Sequence, residues 1–399
     1  MSEQPFSLRR IAVRVYSPSL LYGLGLGAVT PIIALSALER GADLATAALI
    51  VTLVGVGSLI SNVPAAMLTT KIGERLSMVV ASGWAALGMG LGILPSSLAV
   101  FSVGVTMIGM AGAVFNLARQ SYLAEAVPLE FRARAMSTLG GVMRIGVFIG
   151  PFAATLAMKW LGIAGAFWVA MAAMAIAAVV CLRIPDLESR AAVEVGQTRS
   201  GGSMVSIAKD QWRILLGIGL GVVCISAVRA TRQVVLPLWG ENIGLDAATI
   251  SLIYGVSGAI DMLIFYPAGK VMDQRGRVWV AVPCMAVMAV ALFLLPLTHS
   301  VPTMMAVAML LGFGNGIGSG IVMTLGADYS PISGRAKFLG LWRLMSDTGA
   351  MAGPVVLAAF VAVATLGTGA VAVGAVSLTG AGIFAYFIPR TYRKRMGAP

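Results

Sequence analysis

A handful of ionisable side chains stand inside long apolar runs, and any chemistry in this chain has to involve them. Arg119, Arg144, Asp261, Arg343 and Asp347 are embedded in stretches of Gly, Ala, Val, Leu, Ile and Met, and Arg229 and Arg232 share a further run. An ionised group at membrane depth costs several kcal/mol unless it faces protein or a water-filled cavity and has a partner, so each is a functional candidate. Arg343 and Asp347 are four residues apart and share a helix face, which suits a local pair. A carboxylate beside an arginine holds a proton weakly, and separating the two strengthens its hold. Asp261 and Asp347 are therefore the candidates for proton handling. The single histidine, His299, falls in an expected external turn. Cys181, Cys224 and Cys284 lie in apolar runs without paired spacing and read as small buried residues, neither disulfides nor metal ligands. No phosphate-cradling loop and no HExxH, GxSxG or CxxC pattern occurs, so the expectation is no enzyme, no metal and no cofactor.

The elements that must hold these charges are membrane helices. The chain is 58% hydrophobic and 11% charged, where a soluble domain carries roughly a quarter charged residues. With about 20 apolar residues needed per span, twelve helices are expected near 15–38, 46–67, 76–94, 99–123, 135–157, 162–183, 212–238, 248–268, 277–297, 301–325, 337–363 and 367–389. The net charge of +12 first suggests nucleic acid, but placement argues otherwise. Arg9, Arg10, Lys71, Arg75, Arg132, Arg134, Arg183, Lys270, Arg275, Arg277, Arg335, Lys337 and the cluster at 390–395 all fall on one side, against Arg40 and Lys159 on the other. That is the positive-inside pattern, with both termini cytoplasmic in a plasma membrane, and no nucleic-acid partner is expected.

The chain repeats itself. Gly41, Asp43, Thr46, Leu49 and Ile50 recur as Gly244, Asp246, Thr249, Leu252 and Ile253, an offset of 203. At the same offset Glu125 becomes Asp328, Pro128 becomes Pro331, Arg132 becomes Arg335, and Gly146-x-x-x-Gly150-Pro151 becomes Gly349-x-x-x-Gly353-Pro354. Duplication divides the chain into a bundle over 1–184, a polar linker over 185–211 with a short helix around Glu188 to Glu194, and a second bundle over 212–399.

Two parallel six-helix halves resemble the major facilitator superfamily, whose transporters are built in this way. The most specific residues are Gly269-Lys270-Val271-Met272-Asp273-Gln274-Arg275-Gly276-Arg277, similar to the family's G-x-x-x-D-R-x-G-R loop. The first-half counterpart departs from it, with Ala66 for the first glycine and Thr70 for the acid. Glu125 and Arg132, and Asp328 and Arg335, resemble the family's acid-to-arginine spacing after helices 4 and 10. With Asp273 and Arg277 these imply a cytoplasmic latch. Gly146-x-x-x-Gly150-Pro151 resembles the antiporter signature of the drug:proton exporters, although Val105, four before Gly109, stands where they have an arginine.

The resemblance implies an all-α fold of twelve spans in two pseudo-symmetric bundles, with helices 1, 4, 7 and 10 lining a central cavity. On those helices Tyr22, Asn116, Arg119, Gln120, Arg232, Phe313 and Asn315 are the candidate lining groups. It also implies that helices 5 and 8 touch, so that Arg144 would pair with Asp261, while Arg343 and Asp347 would face Ser58 and Asn62. The function implied is proton-coupled export of small apolar or amphipathic molecules by alternating access, acting as a monomer with a small-molecule substrate, protons and the bilayer as partners. The alternative is proton-linked uptake of an anionic nutrient or metabolite bound by Arg119 or Arg232.

Overall fold

A backbone with no water to bond must satisfy its amides internally, and in a chain this apolar the helix is the local answer. The computed structural model describes residues 8–94, 97–127, 129–184, 204–331 and 335–395, with the side chains of 8–15, 124–125, 129–134, 136–137, 204–205, 335–337 and 392–395 outside the description. The side chains of Glu125, Arg132 and Arg335 and the linker helix expected at 188–194 therefore lie outside it.

The first span, α1, is Leu8–Val29, bent by 41° into Ile32–Glu39. Leu44–Ile93 follows as one run of 50 residues. Straight, it would extend about 75 Å, more than twice the hydrocarbon core of a bilayer. Gly73 breaks it at φ 81° and ψ 166°, a backbone conformation that only glycine adopts without strain. The run is thus two spans, α2 (44–72) and α3 (74–93). Then come α4 (Leu98–Ala126), α5 (Leu129–Leu161) and α6 (Ala164–Leu182). After the short helix Met204–Asp210 the second set is α7 (Trp212–Asn242), α8 (Ala247–Arg275), α9 (Val278–Leu297), α10 (Val301–Tyr329), α11 (Arg335–Val363) and α12 (Leu366–Arg395). Twelve spans result among the described residues.

Three details differ from the sequence reading. Helix α5 begins at Leu129, because the basic turn contains no helix breaker and winds on as helix. Helix α7 opens on a π turn, Leu215–Gly219. Helix α10 is interrupted between Ile317 and Ile321, where Gly320 takes φ 81°.

The chain divides into two units, and each is built on close helix contacts. Unit 1 comprises Met1–Ala42, Leu53–Ala192 and Ala247–Gly255; unit 2 comprises Asp43–Thr52, Val193–Asp246 and Val256–Pro399. In unit 1, α5 lies so near α1 that a Cβ added at Gly146 or Gly150 would collide with the carbonyls of Leu20 and Leu24. Helix α4 approaches α2 in the same way, Gly109 against the carbonyl of Val54. In unit 2, Gly349 and Gly353 of α11 meet Val223 and Ala227 of α7, and Gly312 of α10 meets Ser257 of α8. Every one of these contacts recurs at the offset of 203, so the duplication is carried into the packing register. Small residues permit such backbone approach, and van der Waals contact of this kind holds helices together in lipid.

The exteriors are apolar. Trp160, Met323 and Val363 are 83–85% exposed, a surface that would drive aggregation in water and is at rest against lipid. The protein is a multi-pass membrane protein.

Candidate functional site

In unit 2, glycine packing positions a polar cluster. Gly312 and Gly316 bring α10 onto α8; a Cβ at Gly316 would fall 2.7 Å from the carbonyl oxygen of Asp261. That approach puts Asn315 beside the carboxylate, and its Nδ2 donates to Asp261 Oδ2 at 2.6 Å. From α7, Arg232 Nη1 reaches the same oxygen at 3.6 Å, while its Nη2 donates to Ser257 Oγ at 3.0 Å. The Ser257 hydroxyl in turn donates a hydrogen bond to the carbonyl of Ala308. Ser257 and Asp261 are four apart on one face of α8, so a single arginine spans both. The side chains of Arg232 and Asp261 are 9% and 26% exposed, so the pair is largely withdrawn from solvent. One turn before Arg232, Arg229 Nη2 donates to the carbonyl of Gly318 at 2.6 Å, supporting α10 at its interruption. Two arginines of α7 thus hold the carboxylate of α8 and the broken backbone of α10.

These are partners for Asp261 that the sequence reading did not assign. Arg144, a further proposed partner of Asp261, is an exposed residue of α5 in unit 1. Arg232 and Asn315 had been placed among lining groups, and Ser257 was not singled out. The signal for Ser257 was its spacing from Asp261; nothing in the sequence marked the break at Gly318 as the acceptor for Arg229. Arg343 Nε and Asp347 Oδ2 lie 3.8 Å apart, the local pair that their spacing implies, but their side chains are 67% and 37% exposed. Ser58 and Asn62 are half-buried, and Phe313 is exposed.

Unit 1 carries a different arrangement. Arg119 of α4 is buried, and Nε and Nη1 have no hydrogen-bond partner among the described residues. Tyr22 of α1 is fully buried and stacks on Phe115 with 4.0 Å between ring centroids. Asn116 is half-buried and Gln120 exposed.

The loops after α2 and α8 also differ. Gly276 takes φ 95°, matching Gly73, so both loops turn alike. Arg277 then grips the end of α10: Nε and Nη2 donate to the two oxygens of Asp328 at 2.8 and 3.4 Å, and Nη1 to the Met272 carbonyl at 3.1 Å. In unit 1 the corresponding position is Glu74, which accepts from Ser121 Oγ of α4 at 2.9 Å. Arg75 Nη1 reaches the Ile184 carbonyl at 3.5 Å. Asp273, expected in the latch, is exposed. At the far end of unit 1, Arg40 donates to the carbonyls of Ser36, Gly92 and Leu94 and covers Phe101, beside a cavity of about 470 Å³.

Twelve spans in two like halves, with charged clusters at membrane depth, define a polytopic transport protein. The family model described as Major Facilitator Superfamily matches residues 19–231 and 218–399, and the chain belongs to that family. It is a secondary transporter. No curated protein matches it. Among solved structures it is similar to a point mutant of the nucleoside transporter NupG (TM-score 0.73, 12% identity, 94% of this chain and 98% of that one). It is likewise similar to a POT family transporter in complex with a thioalcohol-conjugated peptide (0.75, 13%, 96% of each chain) and to a D-xylose–proton symporter (0.72, 14%, 95% and 98%). At such identities these likenesses establish the fold.

Proposed function

We propose that this transporter couples movement of a small molecule to protons through Asp261, by alternating access of its two halves, in a plasma membrane with both termini cytoplasmic. The observation that carries the reading is the single carboxylate oxygen shared by Arg232 and Asn315. Arg232 balances the charge of Asp261 while the two are near, and the proposed coupling step is a shift of α7 against α8 within unit 2, during the transport cycle, in which a proton replaces the guanidinium. The positive-inside charge distribution supports the orientation. Arg144 remains a second proposed cation for the same carboxylate, and Arg343 with Asp347 a secondary, more solvated pair.

Export of apolar or amphipathic molecules was suggested by the glycine-proline segment of α5. Its glycines pack α5 against α1, and the same contacts exist in α11, so an architectural role accounts for the segment and it does not by itself argue for export. The buried Arg119 favours the second reading, an anionic substrate. The test is transport in proteoliposomes with an imposed pH gradient. Asp261→Asn is expected to abolish uphill, proton-driven accumulation while substrate exchange at equal pH continues. Proton-driven accumulation that survives in Asp261→Asn would sink the proposal.

A further inference from the structure

Arg119 is the buried cation that the coupling cluster leaves unused. Only 9% of its surface is accessible, and two of its nitrogens are orphaned. Its electrostatic neighbour is Tyr22, whose hydroxyl is buried and likewise without a hydrogen-bond partner among the described residues. Phe115, one turn before Arg119 on α4, stacks almost parallel to Tyr22, with 9° between the rings. Gly112 leaves room for the hydroxyl, which a Cβ there would approach to 3.7 Å. Two strong donors are thus sequestered behind an aromatic wall with no acceptor among the described residues. Buried polar groups are satisfied in folded proteins, and an unpaired buried charge is among the most unfavourable features a core can hold.

We propose that Arg119 and Tyr22 form a binding subsite for the carboxylate of a small organic monoanion. The guanidinium supplies the charge and a planar fork of N–H donors that matches a carboxylate, and the phenol adds an O–H donor. The stacked rings exclude water from one side, which strengthens the attraction. Charge balance selects the class: one cation neutralises one negative charge, and a phosphate dianion would leave an uncompensated charge at membrane depth. Arg232 is a poor receptor by the same reasoning, because Asp261 already occupies it. The proposal rests on reading the chain as a small-molecule transporter and names the class of molecule.

The experiment is thermal unfolding of the full chain in nanodiscs, with benzoate as the probe and benzamide and inorganic phosphate as controls, since a ligand that binds the folded state raises its melting temperature. Benzoate is expected to stabilise the wild type, and benzamide and phosphate are not. Arg119→Gln should lose the benzoate response and melt, without ligand, no lower than the wild type, because it removes an unpartnered charge. Tyr22→Phe should weaken benzoate roughly tenfold with little change in the ligand-free protein. Equal responses to benzoate and benzamide, a response that survives Arg119→Gln, or a ligand-free Arg119→Gln protein several degrees less stable would each overturn the subsite. The discs are made once from phosphatidylcholine and once with phosphatidylglycerol; benzoate response lost only in the second would assign the donors to a lipid phosphate and overturn it as well. No proton gradient enters this readout. An intact benzoate response without proton-driven flux would defeat the coupling proposal alone, and flux without the response would defeat this one alone.

Discussion

The two halves of this transporter share a scaffold and differ in what they bury within it. In each, glycines of the fifth and eleventh spans press against the first and seventh, at positions offset by 203 residues. Inside that common frame, unit 2 brings its charges together: Arg232 reaches Asp261 and Ser257, Asn315 donates to Asp261, and Arg229 braces the break in α10. In unit 1, Arg119 Nε and Nη1 and the Tyr22 hydroxyl have no hydrogen-bond partner among the described residues. The offset places Ser58 opposite Asp261 and Val29 opposite Arg232, so the first half never received the acid–base pair. Duplication conserved in backbone contacts and divergent in buried charge teaches that architecture and chemistry in this chain are separable. Packing is constrained by backbone-to-backbone distance at every span, whereas a buried polar group is constrained only by its few partners.

The widest effects should be those that strike the shared scaffold. Gly146→Leu and Gly349→Leu each force a side chain into a carbonyl of the neighbouring helix, and each is expected to destabilise by about 3 kcal/mol or more, with loss of monodisperse protein in size-exclusion chromatography. A large effect at one and none at the other would break the claimed symmetry of packing. The buried charges should behave asymmetrically. Arg232→Ala takes the cation from Asp261 and a donor from Ser257 and is expected to lower the melting temperature. A double-mutant cycle with Asp261→Ala should return a coupling of about 1–2 kcal/mol, the range of polar contacts between membrane helices. Arg119→Gln should show no such loss.

Smaller effects separate the two loops. Arg277→Ala removes a half-exposed pair with Asp328 and should cost under about 1 kcal/mol in stability. Its consequence is expected in the rate of conformational exchange between the ends of α8 and α10, measurable by single-molecule fluorescence. Glu74→Gln keeps an acceptor for Ser121 and should leave that rate unchanged. Smallest of all is the cap of α2. Thr46 donates its backbone N–H to Asp43 Oδ1 at 2.7 Å, and hydrogen bonding to Thr46 lowers the Asp43 carboxyl below its usual value. A depressed folded-state value means that this stabilisation is complete above the unfolded carboxylate range of about 4 and fades as pH falls through the lowered one. Comparing melting temperature against pH for the wild type and Asp43→Asn should show the two curves converging in acid.

Much of the fold was readable in advance. The offset of 203 links Gly41 to Gly244 and Gly73 to Gly276, and both pairs adopt positive φ. Span lengths followed from apolar run lengths, because lipid imposes a fixed thickness on every crossing. Ionisable residues within those runs could be named for the same reason. Of the pairings within unit 2, only the local one could be named as well. Arg343 and Asp347 are near in sequence and stayed near in space. Asp261 found Arg232 and Asn315, 29 and 54 residues away, because Gly312 and Gly316 let α10 close on α8.

What the amino acids dictated alone was therefore one-dimensional: which segments cross the bilayer, where turns demand glycine, that the chain is doubled, and which charges sit at depth. These follow from local backbone chemistry and the thickness of the surrounding hydrocarbon. Tertiary packing decided which charges meet a partner, because a partner one or two helices away is fixed by the rotation and approach of whole helices. That is why Asp261 is engaged within unit 2, while two nitrogens of Arg119 have no partner among the described residues.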